Sequence, residues 1–116
     1  MRIETVAETG RIFELRTYTA SPGKLSALED RFKHHTIGLF QNHGMDVVAF
    51  FKPLDSHDKL VYLLAFPSED AAQASWEGFL NDPEWREAKA ASEVDGPLAA
   101  KIESVRLSPT DYSALS

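Results

Sequence analysis

At 116 residues the chain is about the size of one domain, and a hydrophobic content of 43% belongs to a globular core and not to a disordered segment. The absence of cysteine excludes disulfides, zinc-thiolate and iron-sulfur sites and thiol nucleophiles. A formal net charge of -6, with 12 Lys and Arg scattered against 18 Asp and Glu, argues against nucleic acid. No basic start precedes an apolar run, and no apolar stretch reaches about 18 residues, so neither a signal peptide nor a membrane span is expected and a cytoplasmic location is.

Ile12 to Thr19 alternates with period two, placing Phe13, Leu15 and Thr17 on one face and Glu14, Arg16 and Tyr18 on the other, which predicts the first strand. Ser21-Pro22-Gly23 predicts a helix start, with Ser21 as N-cap and Pro22 at the first helical position. The stripe Leu25, Leu28, Phe32, His35, Leu39 carries this helix to about Asn42, and Gly44 is expected as its left-handed cap. Met45 to Lys52 and Leu60 to Phe66 are β-branched and aromatic runs joined by a polar turn, a pair of antiparallel strands.

Ser68 caps a further helix whose packing residues are Ala71, Ala72, Trp76, Phe79 and Leu80. Asp82-Pro83 restarts helix for Trp85, Ala88 and Ala91 until Asp95-Gly96-Pro97 ends it, and Leu98 to Leu107 reads as the last strand. The order β-α-β-β-α-β predicts a ferredoxin-like α+β domain with a four-stranded antiparallel sheet and helices on one face. One domain is expected over 1-116, with its core at 12-107 and a tail at 108-116. The near-continuous apolarity of the middle strands requires cover on the second sheet face, and a homodimer pairing two such faces into an α+β barrel supplies it.

His35 is the candidate catalytic residue, because it interrupts an apolar stripe with a ring that titrates near neutrality and can serve as a general base. Thr17, Phe32, Trp76 and Trp85 are the candidate walls of a substrate pocket between helices and sheet, suited to a flat apolar ligand with one polar group. Glu14, Arg16 and Tyr18 form a polar row expected to face the partner subunit, with Lys101 and Glu103 opposite. It either binds an anionic group or is a self-satisfied charge network. Asp30 and His34 lack a third ligand, His57 sits in a turn, and no phosphate loop or zinc motif occurs, so no metal and no cofactor is expected.

The blocks FELRTYTASPGKL at Phe13 to Leu25, RFKHHT at Arg31 to Thr36, LVYLLAFPS at Leu60 to Ser68 and NDPEWREAKAASEVDGPL at Asn81 to Leu98 resemble the NIPSNAP family, over about Phe13 to Tyr112. The resemblance implies a ferredoxin-like subunit that pairs into a dimeric α+β barrel, a superfamily of cofactor-independent monooxygenases, haem-degrading enzymes and non-enzymatic binders. The function expected is therefore a homodimer that binds a small apolar or aromatic molecule. The alternative is a cofactor-independent monooxygenase- or isomerase-like enzyme with His35 as base.

Overall fold

The computed structural model describes residues 11-116. Strand β1 (Ile12–Ala20) is followed by helix α1, which runs without a break through Leu25–Arg31, a π-helical turn at Phe32–Thr36 and Ile37–Asn42. Strands β2 (Asp46–Phe51) and β3 (Lys59–Phe66), helices α2 (Glu69–Leu80) and α3 (Pro83–Ser92), and strand β4 (Ala99–Leu107) complete the order. All strand pairs are antiparallel in one sheet ordered β2-β3-β1-β4, so β1 is central and flanked by β4, the α+β ferredoxin-like arrangement.

The helix starts follow local chemistry with one exception. Ser68 Oγ accepts from Ala71 N at 3.0 Å and Asp82 Oδ1 from Glu84 N at 2.8 Å, each satisfying an amide that has no partner within its helix. Gly44 takes φ +80° after α1, a backbone region that L side chains avoid. Ser21 is not a cap. Its carbonyl accepts from Lys24 N in a turn that uses Gly23 at φ +74°, its hydroxyl donates to Pro97 O at 2.7 Å, and α1 begins at Leu25. The competing partner was tertiary: the β4 entry lies beside Ser21 and takes its hydroxyl.

The helices pack on one sheet face, where Tyr18, Leu60, Tyr62 and Leu64 join Leu28, Phe32, Phe40, Phe79 and Trp85 in one buried cluster. Phe32 sits edge-on to Tyr18, Phe50 and Tyr62 at centroid separations of 5.2 to 5.4 Å, the geometry that sets positive ring edges against negative faces. Gly78, inside α2, leaves room for the His43 ring: a Cβ there would lie 2.9 Å from His43 Nδ1. The same imidazole places Nε2 at 2.7 Å from Asp82 Oδ2, tying the end of α1 to the first turn of α3.

The π-helical turn corrects the expected position of His35. Ile37 N donates to Phe32 O, five residues back, and Thr36 Oγ1 donates to Arg31 O at 3.2 Å, so one residue more than usual fits in the turn. Every later side chain is displaced by one position around the axis. The inward line becomes Leu28, Phe32, Thr36 and Phe40, all buried, with Leu39 beside it, while His35 is exposed. Leu80 and Ala91, expected as packing residues, are exposed as well.

On the far face β1 presents Phe13, Leu15, Thr17 and Thr19, level with Ala65, Leu63, Val61 and Lys59 of β3 and with Leu107, Val105, Glu103 and Lys101 of β4. No helix covers this side among the described residues, and Phe51, Val105 and Leu107 on it are 55%, 49% and 42% exposed.

Replacing Thr36 by Ala should cost about 1–2 kcal/mol in urea unfolding, from one buried hydrogen bond and one methyl group. Replacing His35 by Ala should change stability by less than about 0.5 kcal/mol, as for an exposed side chain. The reverse ranking would restore His35 to the inward line.

Candidate functional site

Glu14 lies on the helix face of β1 and is 2% exposed, a position where a carboxylate is costly unless its lone pairs are occupied. Four side chains occupy them. Oε2 accepts from Ser104 Oγ at 2.5 Å and Arg16 Nη1 at 2.9 Å, while Oε1 accepts from Trp76 Nε1 at 2.8 Å and Arg106 Nε at 3.3 Å. Burial raises the affinity of this carboxyl for its proton, but the bonds from Ser104, Trp76 and Arg16 outweigh burial and hold it below the usual carboxylate range.

Arg16, two residues on along the same face, extends the network in the other direction. Its Nε donates to Tyr62 Oη at 2.8 Å and its Nη2 to Tyr18 Oη at 3.3 Å, while the guanidinium carbon stands 4.4 Å from the Trp76 ring centre. Tyr62 Oη in turn donates to Tyr18 Oη at 3.2 Å. Burial, then the neighbouring Tyr18 hydroxyl, pushes the Tyr62 phenol well above its ordinary value, so it is neutral and serves as a relay of hydrogen bonds. Burial disfavours the Arg16 charge, but attraction to both tyrosines and the bond to Glu14 win, and the net shift is upward.

Beside this network, between α2, α3 and the β1–β4 side of the sheet, lies a cleft of about 220 Å³. Arg16 and Tyr18 line its inner end, Trp76, Phe79 and Trp85 its helix side, and the exposed Leu80, Lys89 and Ile102 its outer end. Arg31 also lines it. This guanidinium is 6% exposed, bonds through Nη1 to Ser92 Oγ at 3.1 Å and Glu93 Oε2 at 3.0 Å, and stands 5.0 Å from the Trp85 ring centre. Its buried Nε has no partner among the described residues. Burial raises the Glu93 carboxyl, but hydrogen bonds from Lys89 and Arg31 prevail and lower it.

The cleft unites residues that the sequence placed in separate compartments. Glu14, Arg16 and Tyr18 face the helices and not a partner subunit, because Trp76 and Tyr62 give their polar atoms partners on that side. Trp76 and Trp85 line the cleft, whereas Phe32 is buried in the aromatic cluster. Thr17 lies on the opposite sheet face. Lys101 and Glu103 also lie there, level with Thr19 and Thr17, and the strand register sets Ser104 and Arg106 opposite Arg16 and Glu14 instead. His35 borders an external groove of about 620 Å³ between α1 and α3, together with Asp30, His34, Glu84 and Glu87.

Tyr62, Ser104, Arg106, Arg31 and Glu93 belong to the site and escaped the sequence reading. Only Arg31 left a local signal, since it follows Leu28 by three residues on the inward side of α1.

A single antiparallel sheet with its helices on one face, enclosing a cleft against them, defines the class: a ferredoxin-like α+β domain. The NIPSNAP family profile matches residues 13–114, and the chain belongs to that family. A NIPSNAP family protein of unknown function from Agrobacterium tumefaciens superposes with a TM-score of 0.80 at 22% identity, over 94% of this chain and 96% of that one. An uncharacterised NIPSNAP-like domain protein from Burkholderia xenovorans gives 0.78 at 19% identity, over 91% and 90%. SnoaB, a cofactor-independent oxygenase from Streptomyces nogalater, gives 0.63 at 16% identity, over 87% and 94%. A search of the curated proteins finds no match.

The lowered Glu14 carboxyl has a defined pH consequence. A group held below its unfolded value contributes stability that is complete above that value and is lost as pH falls through the folded one. Glu14→Gln should therefore lose about 3 kcal/mol near neutral pH, by leaving Arg16 without its buried partner, and show a flatter decline in stability than wild type below about pH 5. Urea titrations at a series of pH values measure both.

Proposed function

We propose that this chain is a homodimeric binder of a small apolar or aromatic molecule, held in the cleft between helices and sheet. The observation that carries the reading is the cleft itself. It has a buried hydroxyl and a half-buried guanidinium at one end, two indoles along the side and about 220 Å³ of space, the mix of apolar wall and few polar groups that ligand sites use. The indole wall favours a flat body, and the volume, below the roughly 300–1,000 Å³ of sites for larger ligands, favours one of about a single ring.

The far sheet face supports the pairing. Phe51, Val105 and Leu107 stand exposed beside the half-buried Leu15, Val61 and Leu63, a contiguous apolar surface that a second copy would remove from water by a two-fold, face-to-face contact. Catalysis by His35 gains no comparable support, since that ring lies outside the cleft. Likeness to an oxygenase at 16% identity is likeness of fold.

Light scattering at micromolar protein should give twice the 12.9 kDa chain mass, and Val105→Asp should give the single-chain mass with unchanged far-ultraviolet circular dichroism. A wild-type monomer would overturn the pairing. For the ligand, Trp76 and Trp85 are the two tryptophans of the chain and both line the cleft, so small aromatic molecules that bind should change intrinsic fluorescence. Leu80→Phe, which narrows the outer end of the cleft without adding an indole, should weaken the binding read from that response about tenfold or more, whereas binding equal to wild type would place the site elsewhere.

A further inference from the structure

The direction of the hydrogen bonds at the inner end of the cleft limits what its occupant can be. Arg16 Nε can only donate, so Tyr62 Oη is its acceptor at 2.8 Å and must send its own proton elsewhere. Tyr62 is fully buried, and the oxygen within reach is Tyr18 Oη at 3.2 Å. Tyr18 Oη thus accepts from Tyr62, and also from Arg16 Nη2 at 3.3 Å. Its own hydrogen has no acceptor among the described residues, and Tyr18 lines the cleft. The relay that starts at the Arg16 guanidinium ends as an unused O–H donor at the binding surface.

The acidic groups nearby take their hydrogen bonds from other donors. Glu14 already accepts from Ser104, Arg16, Trp76 and Arg106, and Glu93 accepts from Arg31, Lys89 and Leu98 N. Charge points the same way. Arg16, Arg31 and Lys89 line the cleft against Glu93 alone, and Glu14, bonded to Arg16, leaves the balance positive.

We infer that the occupant of the cleft is a small aromatic carboxylate, with one carboxylate oxygen accepting from Tyr18 Oη and its ring against the indole wall. The inference rests on the cleft being a binding site and names the chemistry it selects. A carboxylate receives a charge-assisted bond from Tyr18 in a cleft whose charge balance is positive, whereas the matching amide presents a neutral acceptor and adds two donors for which the inner end offers no open side-chain acceptor.

The test is isothermal titration calorimetry of the full chain with 3-phenylpropionate and with 3-phenylpropionamide, probes that share a body and differ in charge. Wild type should bind the acid about tenfold or more tightly than the amide. Tyr18→Phe should bring the two affinities within about threefold of each other. Should loss of the Tyr18 oxygen, which leaves the Tyr62 hydroxyl without an acceptor, unfold that variant, Lys89→Gln at the exposed end serves in its place and should weaken the acid severalfold while leaving the amide unchanged. Equal binding of acid and amide by wild type would overturn the carboxylate inference and leave small-molecule binding standing. Binding of neither probe, with no fluorescence response to neutral aromatic molecules, would overturn both.

Discussion

The Glu14–Arg16 pair, a buried carboxylate and a half-buried guanidinium between sheet and helices, is the constraint from which the remaining geometry follows. A buried ion pair adds little net stability, because desolvation opposes its attraction, but a broken one is expensive. The chain therefore has to deliver every partner at once. Ser104 and Arg106 come from β4, Tyr62 from β3 and Trp76 from α2, so a single carboxylate and its neighbouring guanidinium set the β1–β4 register, the seat of α2 and the orientation of two tyrosines. A slip of one residue in β1 would turn Glu14 and Arg16 to the far face and strand all of these groups.

The π-helical turn in α1 has an equally specific effect at smaller cost. By lodging one extra residue between Phe32 and Ile37 it keeps Phe32 and Phe40 in the same aromatic cluster, brings Thr36 inward and sends His35 out. Thr36 is suited to the inward place because its hydroxyl bonds the Arg31 carbonyl. Arg31, just before the turn, reaches Glu93 after α3 and thereby joins the first helix to the wall of the cleft.

Two surfaces emerge with different chemistry. The helix side of the sheet is rich in aromatic rings and ionic hydrogen bonds and leaves a small cleft, while the far side, which no helix covers among the described residues, sets exposed apolar side chains beside Thr17, Lys101 and Glu103. Membership of the NIPSNAP family and likeness to proteins described as being of unknown function agree with this architecture, and the functional reading comes from the cleft. Among the described residues no helix is long and apolar enough to cross a membrane.

Local pattern was enough for every strand and for two of three helix starts, since alternation, Ser68 and Asp82-Pro83 act through neighbours a few residues away. The family was legible too, because its blocks are contiguous in sequence. The candidate site was legible only in its members Glu14, Arg16, Tyr18, Trp76 and Trp85, and their assembly was misread in two ways. Alternation along β1 distinguishes two faces but not which one meets the helices, and here both carry apolar residues, so the choice fell to Tyr62 and Trp76, 46 and 62 residues away from the groups they bond. A helical period likewise assumes a constant turn, and the extra residue at Phe32–Thr36 exchanged His35 for Thr36. Residue types and local elements were determined by the sequence by itself. Which face is inside, and which titratable group stands in the cleft, only the tertiary structure decided, because buried charges must find partners that no local window contains.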